Sequence, residues 1–96
     1  MPNRNEDENK KDDLKKSIEK LNKEHNLLSA DLVEKRKALK SFISDLEYHV
    51  DNPEDKEHLE NVIKTIPELI KMFEVKHPGI TDLLNKISMI LSNMGI

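Results

Sequence analysis

A stripe of apolar residues near the C-terminal end of the chain constrains its fold more than any other feature. The stripe follows the spacing i, i+3, i+4, i+7, i+10, i+11 and i+14, which is typical of a helix with one broad buried face. Residues 78–96 carry only two charges, although 36% of the 96-residue chain is charged. The pattern predicts a core helix from about Gly79 to Asn93, with the stripe Ile80, Leu83, Leu84, Ile87, Ile90, Leu91 and Met94.

This predicted helix also carries the predicted interface. Gly95 can supply a left-handed C-terminal turn, and Ile96 can then fold back on Leu91 as in a Schellman motif. The chain is only 35% hydrophobic, and a core of this size contributes only about 3–5 kcal/mol. We therefore expect a homo-oligomer, most simply a twofold dimer. Its predicted interface comprises Phe73, Ile80, Leu83, Leu84, Ile87, Ile90, Leu91, Met94 and Ile96.

The first half of the chain has a narrower apolar stripe at steps of four and three residues, formed by Leu14, Ile18, Leu21, His25 and Leu28. The spacing continues beyond this point, so a single coiled-coil helix over residues 12–50 is one interpretation. A break between Asn26 and Ser29 is the favoured one, because Ser29 is a good N-cap. A second helix would then run from Ala30 to about Val50.

A third helix is predicted to begin at Pro53, with Asn52 as its cap, and to end near His77. Pro67 lies inside it and removes one backbone hydrogen bond. Because the apolar stripe continues in phase across Pro67, we predict a kinked helix rather than a loop. The predicted buried face consists of Leu59, Val62, Ile63, Ile66, Leu69, Ile70 and Phe73.

These elements predict an all-α fold, a small antiparallel bundle of three to four helices over residues 12–96. Residues 1–11 have no apolar side chain after Met1 and mix both charges, so we expect a disordered tail. No apolar run is long enough to span a bilayer, and the polar start is unlike a signal peptide. The chain has no Cys, which excludes disulfides and fits a reducing compartment. The expected location is the cytoplasm.

The sequence contains no pattern that favours catalysis, a cofactor or a metal. The chain has only two glycines, Gly79 and Gly95, which form neither a phosphate-binding loop nor a nucleophile elbow. Glu74 and His77 have the spacing of half a di-iron site, but the second such pair is missing. A capping role for His77 and a packing role for His25 are the commoner alternatives. We expect no enzymatic activity and no small-molecule substrate.

The charge pattern favours a protein as the binding partner over nucleic acid or an anionic membrane. The net charge is −3 and the signs are mixed, whereas a surface for nucleic acid or anionic membrane is usually basic. The leading hypothesis is a non-enzymatic protein–protein interaction module, a small helical adaptor, regulator or inhibitor, whose partners are itself and another protein. One alternative is a purely structural homo-oligomer. The other is peripheral membrane or nucleic-acid association through the basic cluster at residues 35–40 or the apolar C-terminal helix.

Two motifs near the C-terminal end carry a resemblance to a known family. They are Phe-Glu-Val-Lys-His-Pro at residues 73–78 and Leu-Ser-Asn-Met-Gly-Ile at residues 91–96. With the apolar residues between them, they resemble a family of short bacterial proteins called domain of unknown function 4404, chiefly over residues 59–96. Leu-Ser-Ala-Asp at residues 28–31 stands where that family has a helix start, and Pro67 departs from its pattern. The resemblance implies a small helical protein and no particular activity.

Overall fold

The computed structural model of the protein describes the backbone of residues 3–95 and the side chains of residues 10–94. These residues form four helices and no strand: α1 (Asn3–Leu27), α2 (Val33–Asp51), α3 (Lys56–Phe73) and α4 (Pro78–Gly95). The predicted all-α helical bundle is confirmed, with four helices.

The helices form an antiparallel bundle in which each helix packs against two neighbours, in the order α1, α2, α3, α4 and back to α1. The start of α1 lies beside the end of α4, where Lys10 Nζ donates to the carbonyl of Asn93 at 3.2 Å. The end of α1 lies beside the start of α4, where Glu24 adjoins Gly79. Short connections also favour antiparallel neighbours. The bundle measures 49 × 22 × 20 Å.

This topology gives the bundle two different ends. The two-loop end carries the connections 28–32 and 74–77, and the one-loop end carries the connection 52–55 together with the start of α1 and the end of α4. Between them lies one core to which all four helices contribute. The fully buried residues on the first three helices include Leu14 and Leu21 on α1, Leu39 and Leu46 on α2, and Phe73 on α3.

The connection between α1 and α2 confirms two separate helices and excludes a single long helix over residues 12–50. However, α2 begins at Val33, not at Ala30, and the predicted cap at Ser29 is wrong. The hydroxyl of Ser29 donates to the carboxylate of Asp31, so it does not reach the helix. Leu32 occupies the cap position, and its N–H donates to the carbonyl of Ser29 at 3.1 Å.

The start of α3 also differs from the prediction. Asp55, and not Asn52, caps the helix, because its carboxylate accepts the backbone N–H of His58 at 3.1 Å. Asn52 instead closes α2, with its backbone N–H and its side-chain amide both donating to the carbonyl of Tyr48. Pro53 therefore lies in the turn between the helices and not at the first helical position.

The last two helices confirm most of the predicted pattern. Pro67 lies inside α3, which continues to Phe73, so this segment is a helix and not a loop. α4 continues through Gly95, and within the described backbone no glycine has a positive φ. The left-handed turn predicted at Gly95 is therefore not formed, because the helix continues through that residue. Ile96 and its predicted contact with Leu91 lie outside the described residues.

The first helix begins at Asn3, well before the predicted start at Asp12. Because Lys10 already lies beside the end of α4, the two turns before it extend past the other helices. Residues 1 and 2 lie outside the described part of the chain. The division into a tail over residues 1–11 and a domain over residues 12–96 stays a prediction.

Candidate interaction surface

The described residues of the predicted interface lie in the core of the bundle or pack against it. α4 packs between α1 and α3, which cover its apolar face, so a second copy is not needed to bury it. Ile96 is not among the described residues. Of the others, Leu83 and Met94 are half-buried, Ile90 is 9% exposed, and those at most 1% exposed are Phe73, Ile80, Leu84, Ile87 and Leu91.

Exposed apolar side chains gather at the two-loop end. Among residues 10–94, six large apolar side chains are exposed, and four of them belong to the chain segments at this end. These four therefore lie at the same end of a bundle that is about 22 × 20 Å across, and together they define a candidate surface. We call it the two-loop patch: Leu27, Val33, Met72 and Val75.

The α1–α2 connection is held by Arg36. Its guanidinium donates to the carbonyl of Leu28 at 2.8 Å and to that of His25 at 3.2 Å. The carbonyl of His25 belongs to the last turn of α1 and also accepts the backbone N–H of Leu28 at 3.1 Å, whereas the carbonyl of Leu28 lies just beyond the helix. Leu28 turns into the core and is 6% exposed, whereas Leu27 is 78% exposed. Leu27 is therefore exposed at a helix end that Arg36 holds in place.

The α3–α4 connection presents the other half of the patch. The backbone N–H of His77 donates to the carbonyl of Phe73 at 2.8 Å, so the backbone rather than the imidazole closes the last turn of α3. The His77 ring stands edge-on to the buried Phe73 ring, with centroids 5.7 Å apart. Between these residues, Val75 is 84% exposed.

Two shallow grooves of opposite charge adjoin the patch. The first, of about 240 Å³ between α2 and α3, includes Met72 of the patch and only acidic residues among its charged lining, Asp45 and Glu68. Phe42 and Leu69 give it an apolar floor. The second, of about 410 Å³, includes Val33 of the patch and only basic charged residues, Arg36, Lys37 and Lys40. Each groove thus joins one apolar residue of the patch to charges of a single sign, acidic beside Met72 and basic beside Val33.

A cluster of polar rings and carboxylates lies at the opposite, one-loop end. The hydroxyl of Tyr48 donates to the carboxylate of Asp55 at 2.8 Å, and the rings of Tyr48 and His58 are 4.3 Å apart. The backbone N–H of His58, followed by the Tyr48 hydroxyl, lowers the pKa of Asp55. The same carboxylate raises the pKa of Tyr48. His49 is buried beside this cluster, and its burial, followed by the charge of His58, lowers its pKa.

Nothing in the described side chains assembles into a metal centre: no group of three or more His, Asp or Glu is placed to hold an ion. Glu74 and His77, which have the spacing of half a di-iron site, lie in the α3–α4 connection. Over the part of the chain that the structure describes, no helix is both long and apolar enough to cross a bilayer. The predicted absence of enzymatic activity stays a prediction.

The fold and the surface define a small four-helix bundle with one apolar end. The chain belongs to the family described as Domain of unknown function (DUF4404), whose model matches residues 14–96. The resemblance seen in the C-terminal motifs therefore extends across all four helices. Neither curated proteins nor solved structures provide a match to the chain.

Proposed function

We propose that the chain is a non-enzymatic protein–protein interaction module, a small adaptor, regulator or inhibitor, which binds another protein through the two-loop patch. The observation that carries the proposal is the gathering of Leu27, Val33, Met72 and Val75 at one end of a bundle whose own core is complete. Apolar side chains that are grouped, and not scattered singly, are typical of interaction sites. We place this activity in the cytoplasm, which the absence of Cys supports.

The two flanking grooves support the proposal because they give a bound partner an orientation. Asp45 and Glu68 line one groove, and Lys37 and Lys40 line the other. Charge arranged around an apolar centre contributes specificity and association rate more than affinity. The partner that fits best presents apolar side chains between a basic and an acidic segment.

A structural homo-oligomer is the second candidate function, and the same flanks favour it. One copy offers both the acidic and the basic groove, so a second copy of this chain has the complementary charges that the surface requires. In this case the two-loop patch replaces the face of α4 as the self-association surface.

The test compares the tagged full chain with two charge variants, Leu27→Glu combined with Val75→Glu, and Met89→Glu. Met89 is the matched control, because it is 68% exposed but lies on α4 away from the patch. From a lysate of the cells that make the protein, we expect the wild type and Met89→Glu to retain the same partner and the double variant to lose it. Circular dichroism checks that all three are helical.

Sedimentation equilibrium of the same three proteins separates the two candidates. A doubled mass that the double variant alone loses would assign the patch to self-association. A partner retained by the double variant but lost by Met89→Glu would overturn the assignment of the patch.

A further inference from the structure

His49 is a buried titratable side chain without a role in the proposed interaction. It lies near the end of α2 and is 0% exposed, and among the described residues neither ring nitrogen has a hydrogen-bond partner. Buried polar side chains are ordinarily hydrogen-bonded. In the sequence, this histidine follows Leu46 by one helical turn, so it lies on the buried face of α2.

A second imidazole lies beside it. The rings of His49 and His58 are nearly parallel, with an interplanar angle of 15° and centroids 6.3 Å apart. The Nδ1 of His58 is also buried and unpartnered within the described part of the chain. Its Nε2, however, lies 3.9 Å from the carboxylate of Asp45, which can pair with this ring when it is protonated.

The charged groups that act on His49 come from the side of α2 that faces α3. Glu54, Asp55 and His58 lie on the α2–α3 connection and the start of α3 and act on His49 electrostatically. On the other side, Lys15 and Glu19 of α1 line a groove with Glu47 and Asp51 of α2. None of these side chains forms a hydrogen bond with the His49 ring within the described residues.

The two imidazoles therefore differ in their surroundings. His58 has a carboxylate partner and partial access to water. His49 has neither, and a protonated His58 beside it makes a second positive charge less favourable. Protonation of His49 therefore costs less free energy when the ring leaves the core.

We infer that the packing of α2 against α3 at the one-loop end is a pH-sensitive element, which acidification opens by protonating His49. Burial and the neighbouring His58 lower the pKa of His49 from its ordinary value of 6.5. The open form thus binds a proton that the closed form does not. The stabilisation by neutral His49 is fully present above about pH 6.5 and is lost as the pH falls below it.

The test measures the urea unfolding equilibrium of the full chain between pH 7.5 and 5, together with the NMR titration of each imidazole. Below pH 6.5, the one proton that His49 takes up contributes a factor of up to ten per pH unit to the unfolding constant of the wild type. We expect His49→Phe to take up about one proton fewer than the wild type and His77→Gln, at the other end, to behave like the wild type.

In the folded wild type, the His49 resonances should stay in the neutral form until the protein opens. An ordinary titration of His49 in the folded state would overturn the proposal, as would an unchanged proton uptake in His49→Phe. If His49→Phe does not fold, the NMR titration of His49 in the wild type tests the proposal on its own.

Discussion

The guanidinium of Arg36 donates a hydrogen bond of 2.8 Å to the backbone carbonyl of Leu28, eight residues earlier in the chain. This contact joins the start of α2 to the end of α1 beside Leu28, which is buried, whereas the preceding Leu27 is exposed. In sequence, Arg36 belongs to the basic cluster at residues 35–40, which suggests a binding role rather than a structural one. In the structure it is half-buried and holds the two-loop end together.

Replacing Arg36 with Ala should therefore destabilise the protein. The substitution leaves the carbonyls of Leu28 and His25 without their charged donor, and we expect the free energy of unfolding to fall by about 1–3 kcal/mol. Urea denaturation measures the loss. Lys37→Ala is the control, since Lys37 is exposed on the same helix and should change the stability by less than about 0.5 kcal/mol. Equal effects of the two substitutions would contradict the role of Arg36.

A charge in the buried face of α4 should unfold the protein. Ile87 is 0% exposed, so Ile87→Asp places a carboxylate in the core, whereas Met89→Asp on the same helix places it in water. We expect loss of helical circular dichroism for Ile87→Asp alone. If that variant stays helical and changes only its mass, α4 is an intermolecular interface and not an internal helix.

The cap of α3 gives the protein an acid-sensitive contribution to stability. The bonds from His58 and Tyr48 lower the pKa of Asp55 from 3.8, so the stabilisation by its carboxylate is present above that pH and is lost as the pH falls below it. We expect Asp55→Ala to lower the urea midpoint at neutral pH, and Asp55→Asn to restore part of it because the amide oxygen can also cap. A difference between wild type and Asp55→Ala that persists unchanged in strong acid would be inconsistent with this.

Removing the proline from α3 should stabilise the protein. Pro67 has no N–H for the helix and is exposed, so Pro67→Ala restores a backbone donor without changing the core. We expect the free energy of unfolding to rise by about 1–3 kcal/mol in thermal or urea denaturation. Glu68→Ala, next to it and also exposed, serves as the control. A loss of stability in Pro67→Ala would mean that the bundle depends on the shape that Pro67 gives to the helix.

The sequence predicts the helices well because their apolar residues repeat with the helical period. The wide stripe of α4 predicts a core helix, and Ile80, Leu84, Ile87 and Leu91 are indeed buried. An apolar stripe predicts that one face of a helix is buried, but it does not identify what covers that face. The pattern of α4 is therefore compatible both with packing against α1 and α3 and with packing against a second copy of the chain.

Helix caps were harder to predict, because several polar residues near each boundary are equally good caps in sequence terms. Ser29 loses its capping role to a contact with Asp31, and Asp55 replaces Asn52 because its carboxylate reaches the N–H of His58. Such choices depend on local geometry that the sequence pattern does not contain.

The candidate surface was not predictable from periodicity. Leu27 and Val75 lie 48 positions apart in the chain, and only the antiparallel topology brings their two connections to one end. His49 was also missed, although a histidine one turn after Leu46 could have suggested a buried ring.

Photo-crosslinking tests most directly that the two-loop patch is the binding surface. Benzoylphenylalanine is introduced in the full chain at position 27, at position 75 and, as a control, at position 89, and the cells that make the protein are irradiated. We predict covalent adducts of the same partner from positions 27 and 75 and none from position 89. Adducts from position 89 alone, or no adduct from either patch position, would contradict the assignment.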